Sequence, residues 1–133
     1  MNTVYAREDY LLADEYIDIV RKSGLNRPID DRGRIERMLK HANLIVTARQ
    51  DGKIVGFARS LTDFCFCCYL SDLAVDRACQ GQGIGKRLIE ETRKHAGGEL
   101  TTTLLLSAPT AMTFYQGIKM PAADNCFLYR RSR

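Results

Sequence analysis

"DRACQGQGIGKRL", Asp76 to Leu88, sets glycines at positions 81, 83 and 85, follows them with Lys86, and runs on into apolar residues at helical spacing. A glycine-rich turn that opens a helix is suited to phosphate. Backbone N–H groups in the turn converge on one anion, and the helix N-terminus adds the positive end of its dipole. Two common phosphate loops fail on register. A nucleoside-triphosphate loop needs Gly, four residues, then Gly-Lys-Ser/Thr. Anchored on Gly85-Lys86, its first glycine falls on Gln80 and its magnesium-binding hydroxyl on Arg87. The dinucleotide pattern G-x-G-x-x-G ends on Lys86 when begun at Gly81, and on Leu88 when begun at Gly83. The acid that should follow about 20 residues later is also missing. Lys86 and Arg87 stand in the first helical turn, where a cation opposes the dipole unless an anion is bound.

Working outward, "FCFCCYLSDLAV" (Phe64 to Val75) precedes the loop and is almost continuously apolar, which predicts an inner strand buried on both faces. After the loop, Ile84, Leu88 and Ile89 predict a helix from Gly83 to His95, ended by Gly97-Gly98. "LTTTLLLSA" predicts a strand, "TAMTFYQGI" a short helix and "NCFLYR" a last strand. On the other side, "NLIVTARQ" and "KIVGFARSLT" predict two strands joined at Asp51-Gly52, a strong hairpin signal. "TVYARE" predicts a first strand. Asp9 is placed to cap a helix from Tyr10 to Lys22, with Leu12, Tyr16, Ile19 and Val20 inward and Gly24 closing it. A second helix, Asp31 to His41, turns Ile35, Met38 and Leu39 inward. The order is β-α-α-β-β-β-α-β-α-β. Its strand–loop–helix–strand step requires one parallel pair in a sheet that is otherwise antiparallel. The expected class is α/β, a mixed and mostly antiparallel sheet flanked by helices.

The chain has 133 residues, 45% hydrophobic and 27% charged, which suits a single domain over residues 1–133. The formal net charge of +4 is mild and spread out, apart from "RRSR" at the end. That excludes a nucleic-acid stripe and suits an anionic ligand. No apolar run is long enough to span a bilayer, and the first residues lack a signal-peptide pattern, so a cytoplasmic location without membrane partners is expected. Five cysteines (65, 67, 68, 79 and 126) are an odd number, with no second ligand pair at zinc spacing. They read as buried small hydrophobes, and no metal site is expected.

Gln80-x-x-Gly83-x-Gly85, between a strand and a helix, resembles motif A of the GNAT N-acetyltransferase superfamily, Gln/Arg-x-x-Gly-x-Gly/Ala. The likeness runs from about Lys53 to Tyr115. It implies that the anion is the pyrophosphate of coenzyme A, with acetyl-CoA as acyl donor. Gln80, Gly81, Gln82, Gly83, Ile84, Gly85 and Lys86 would bind it. The main chain at Leu73 and Val75 would pair with the pantetheine arm, where the strand splays from its parallel neighbour. "AMTFYQGIKM" resembles a later motif of the superfamily, Ala-x-x-Phe-Tyr-x-x-x-Gly-Phe, matching at Ala111, Phe114 and Tyr115. By that likeness Tyr115 is the general acid that protonates the departing thiolate; read alone, it is an amphipathic core residue. Lys119 and Met120 replace the expected glycine and aromatic, so the helix is expected to close differently. Ala108 replaces an asparagine common seven residues before the tyrosine.

For the base that takes the proton of an amine, Asp72 is the best carboxylate. Strict alternation puts it on the opposite face from Ser71 and Leu73, a parity that a bulge would break. It reads equally as a hydrogen-bonded structural acid. Ser71 or Tyr69 is placed to hold a water instead, and Asp63, His41 and His95 are worse placed. Asp30 and Asp31 suit attraction of a cationic amine, and Asp31 suits a helix cap equally well. "SGLNRP", "VGFARSLTD" and "SDLAVD" are similar to the bacterial and plastid-type branch of the superfamily that includes arylalkylamine acetylators. The resemblance thus implies an N-acetyltransferase acting on a primary amine of a small molecule or peptide, by direct attack in a ternary complex, and it is compatible with a homodimer. The alternative is a non-catalytic acyl-CoA sensor.

Overall fold

The computed structural model describes residues 2–133. Along the chain run β1 (Thr3–Glu8), α1 (Ala13–Ser23), α2 (Arg32–His41), β2 (Leu44–Gln50), β3 (Lys53–Thr62), β4 (Cys67–Val75), α3 (Ile84–His95), β5 (Thr102–Leu104) and α4 (Met112–Gly117). The strands form one sheet in sequence order. The first four are antiparallel and β5 is parallel to β4, the crossover that the strand–loop–helix–strand order demands. The expected mixed α/β class is the observed one.

Each face of the sheet carries its own core. Leu44, Val46, Ala48 and Leu70 pack under Ile84, Leu88 and Ile89 of α3. Ile45 and Phe57 pack under Tyr16, Ile19 and Val20 of α1 and Ile35 and Leu39 of α2. The Tyr16 and Phe57 ring centroids lie 4.9 Å apart. Asp51 and Gly52 turn the β2–β3 hairpin with φ of 52° and 77°, the left-handed pair of a type I′ turn. Asp31 caps α2 by accepting from the Arg34 N–H at 3.0 Å.

Several expectations are corrected. α1 begins at Ala13 rather than Tyr10, and neither Asp9 nor any other side chain caps it. Leu11 is drawn into the core while the chain is still extended, so Leu11 is buried and Leu12 exposed. β4 starts at Cys67, after a turn in which Asp63 accepts the N–H groups of Cys65, Phe66 and Cys67. It is not buried on both faces: Cys67 and Tyr69 are exposed, on the side opposite Cys68 and Leu70. Only Cys68 of the five free cysteines is buried. The segment Asn125–Arg130 forms no strand, and Phe127 and Tyr129 are almost wholly exposed. Strand propensity alone supplies no hydrogen-bond partner, and β5 is only three residues long. Lys119 does not change how α4 closes. It takes φ 60° itself, so that Met120 N–H reaches Tyr115 C=O and Lys119 N–H reaches Gln116 C=O. This is the Schellman closure that glycine makes more cheaply.

Candidate active site

β4 and β5 pair only from Cys67↔Thr102 to Tyr69↔Leu104. Beyond Tyr69, β4 continues to Val75 alone on that side, while the chain after Leu104 turns away through Ala108 and Pro109. The unpaired edge opens a cleft of about 630 Å³. Leu73, Ala74 and Val75 form one wall, and Gln80, Gly81, Gly83, Ile84 and Gly85 the end at α3. Ala108, Thr110, Ala111, Phe114 and Tyr115 form the opposite wall, and Ser23 to Asn26 the lip beyond α1.

The loop conformation follows from its glycines. Gly81 and Gly83 have φ of 82° and 79°, which L side chains rarely adopt, and Gly83 is the N-cap of α3. A Cβ on either would meet nothing within 4 Å, so the space over the loop is open to a ligand. The Gln80 side chain donates to Val75 C=O at 3.1 Å and ties the loop back to β4. Arg87 turns away, to Glu91 at 3.0 Å and over the Tyr5 ring at 4.7 Å. Gln82 and Lys86, expected among the binding residues, do not line the cleft. Gln82 accepts from Gln50 on β2 at 3.4 Å, and Lys86 is exposed.

Phe114 was legible only as a motif match, yet its ring decides the fit of Gly85. A Cβ on Gly85 would stand 2.8 Å from Phe114 Cζ. The superfamily pattern admits alanine at this position; here the ring holds the space. Gly85→Ala is expected to destabilise the protein by ~1–3 kcal/mol, the usual cost of overpacking, measured by thermal denaturation. An unchanged Tm would show that Phe114 moves freely. Phe114 meets Tyr115 edge-on with centroids 5.0 Å apart. Burial pushes the Tyr115 phenol above its ordinary value, and the positive charge of Arg27 only partly opposes this, so the hydroxyl keeps its proton at neutral pH.

Asp72 sits elsewhere. Arg59 pairs with Asp72 and Ser60 with Leu70, which leaves Ser71 as the extra residue of a bulge. The bulge swings Asp72 to the α1 face, away from the cleft. There the carboxylate is fully buried. It accepts from Arg59 Nε at 2.5 Å, Arg27 Nε at 2.6 Å, Tyr16 OH at 2.7 Å and Ser71 Oγ at 3.3 Å. Burial alone would raise its pKa. The hydrogen bond and charge of Arg59, the charge of Arg27 and the Tyr16 bond outweigh burial and hold it below the ordinary carboxylate range. An anion with every oxygen engaged makes a poor base, and the geometry favours the structural reading of Asp72. Asp63 is held at about 2 by its three backbone N–H donors, in the β3–β4 turn. Asp30, Asp31, His41 and His95 do not line the cleft, nor does any Asp, Glu or His among the described residues.

An antiparallel sheet that parts at one parallel pair, with a glycine loop at the parting and a phenol across it, defines an N-acyltransferase type of α/β protein. More particularly, the chain belongs to the GNAT acetyltransferase family: the model of the "Acetyltransferase (GNAT) domain" matches residues 25–118. Among its relatives, the uncharacterized N-acetyltransferase ycf52 of Porphyra purpurea is 30% identical over 91 residues, covering 62% of this chain and 51% of that protein. The chloroplastic serotonin N-acetyltransferase 2 of Oryza sativa is 30% identical over 108 residues, covering 75% and 54%. The chain thus spans about half the length of these relatives. A probable acetyltransferase of Staphylococcus aureus, SA2161, shares the fold with a TM-score of 0.79 at 18% identity, over 98% of this chain and 99% of that one. The aminoglycoside N-acetyltransferase AAC(6')-Iy, solved in complex with CoA, matches with a TM-score of 0.73 at 15% identity, over 99% and 96%. No helix among the described residues is long and apolar enough to cross a membrane.

Proposed function

We propose that the protein is an acetyl-CoA-dependent N-acetyltransferase acting on a primary amine. The observation that carries this reading is the unpaired edge of β4 running into the glycine loop, with Tyr115 across the same cleft. Gly81, Gly83 and Gly85 present N–H groups and the α3 dipole to the pyrophosphate of the donor. The main chain at Leu73 and Val75 pairs with the pantetheine arm, and an amide of this edge polarises the thioester carbonyl. The amine nitrogen bonds to the carbonyl carbon as the C–S bond breaks. Tyr115 gives its proton to sulfur and regains one from solvent. With no carboxylate or imidazole among the described residues that line the cleft, the proton lost by the amine goes to water. The rate of acetylation is then expected to rise with pH up to the pKa of the acceptor itself, with no limb from a carboxylate or imidazole of the cleft.

Release of free thiol from acetyl-CoA, followed across an amine panel at several pH values beside calorimetric CoA binding, tests the reading. CoA binding with no turnover on any amine would convert the protein to a sensor. Absence of CoA binding would end the proposal altogether. The reading requires only a compartment that supplies acetyl-CoA.

A further inference from the structure

We propose that the acceptor amine also carries an anionic group, a carboxylate or a phosphate, and that Arg27 binds it. This rests on the acetyltransferase reading and narrows its substrate class. The starting point is the charge of the buried network. Arg27 and Arg59 share one carboxylate, Asp72, and among the described residues neither has a second within 4.0 Å. Tyr16 brings no compensating charge, because burial and the neighbouring Asp72 anion push its phenol well above the ordinary value. The cluster therefore holds one cation in excess, in a place where unpaired charge is costly.

The excess falls on Arg27. The Arg59 side chain is 8% exposed and that of Arg27 23%, so only Arg27 offers an outside anion real access. Its position is fixed at both ends of the lip. Nε bonds to Asp72, one Nη bonds to Asn26 C=O at 2.7 Å, and the other bonds to Ser71 C=O at 2.7 Å. A guanidinium has five N–H donors, so two remain after these three bonds, in a geometry the network has already set. Asn26 lines the cleft, Ser71 is the bulge residue just before the free edge of β4, and the charge of Arg27 reaches the Tyr115 phenol. Arg27 does not itself line the cleft, but it follows Asn26, which does, and its guanidinium is held between Asn26 C=O and Ser71 C=O, so an anion on it borders the cleft at the Asn26 lip. An acceptor anion there satisfies the two free donors and neutralises the cluster, and it turns the amine of the same molecule toward Tyr115.

The test compares matched acceptors by thiol release: an α-amino acid and its amide, an ω-amino acid and its methyl ester, an aminoalkyl phosphate and its alcohol. In at least one pair, kcat/KM is expected to favour the anion by about tenfold or more, the value of a charge-assisted hydrogen bond, and the pair shows which anion it is. Arg27→Gln should bring that ratio to about one. Because Arg27→Gln also loosens Asp72, its fold is checked by thermal denaturation. Should it not fold, Arg27→Lys, which keeps the charge and loses the fork, should lower the ratio at least about threefold. Neutral members that match or beat the anions overturn the proposal, as does an anion preference that survives substitution of Arg27. If no amine is acetylated, the acetyltransferase reading fails by itself. Calorimetry on the CoA-loaded protein then decides the anion site, using the N-acetylated acids against their neutral counterparts. Tighter binding of the acids, lost in the Arg27 variant, supports the site; equal binding removes it.

Discussion

Asp72→Asn is expected to destabilise the protein by about 3–5 kcal/mol, a large share of the stability of a domain this size. Asp72 is wholly buried and, among the described residues, is the only carboxylate paired with Arg27 and Arg59. Asparagine is the same size but removes the charge and points an N–H₂ at one guanidinium. Two cations then remain in low dielectric with no anion between them, which costs more than the pair contributes when intact. The fall in Tm should be on the order of 10 °C or more, read by circular dichroism on heating. The pH dependence has a definite sign. The folded carboxyl lies below the ordinary aspartate value of 3.8, so its contribution is full above that value and is lost as the pH falls through the lowered one. Acid should therefore narrow the gap between wild type and variant. An Asp72→Asn protein with unchanged Tm and abolished turnover would restore the role of general base to this residue.

Tyr115→Phe is expected to lower kcat by about 10²–10⁴-fold while leaving CoA affinity and Tm nearly unchanged. Phenylalanine keeps the packing of the ring against Phe114 and the α3-side core. The hydroxyl has no hydrogen-bond partner among the described residues, so its loss leaves no group stranded. What is lost is a proton donor for the departing sulfur. Burial raises the phenol above its ordinary value of 10.0 and Arg27 only partly opposes this, so the donor stays protonated throughout the neutral range. An alkaline limb due to Tyr115 should lie above pH 10 in the wild type and vanish in the variant. Full kcat in Tyr115→Phe would reduce the residue to packing.

Much of the site was legible because it is local. The glycines at 81, 83 and 85 are separated by single residues, and backbone conformation there depends on little beyond the residues themselves. The hairpin at Asp51-Gly52, the cap at Asp31 and the stop at Gly24 are local in the same way. Gln82 and Lys86 shared the motif but not the cleft, since a run of residues does not say which way each side chain leaves the turn. Lys119 shows the reverse. A residue that departs from the family pattern still adopts the φ of the glycine it replaces, because the closure contacts outweigh a cost of ~1–2 kcal/mol.

By itself, then, the order of residues determined the element order as far as α4, the parallel crossover and the loop at the start of α3, all of which follow from short-range periodicity and turn chemistry. Only the tertiary structure decided which face Asp72 occupies, how far β5 follows β4, whether the tail finds a strand to pair with, and that Arg27 meets Asp72 across 45 residues. Each of these depends on a partner distant in sequence. Of the two readings that the sequence left open for Asp72, base and structural acid, a one-residue bulge at Ser71 favours the second by setting it on the face opposite Leu70 in a buried ion pair, because side chains on a strand alternate and one extra residue reverses every face that follows.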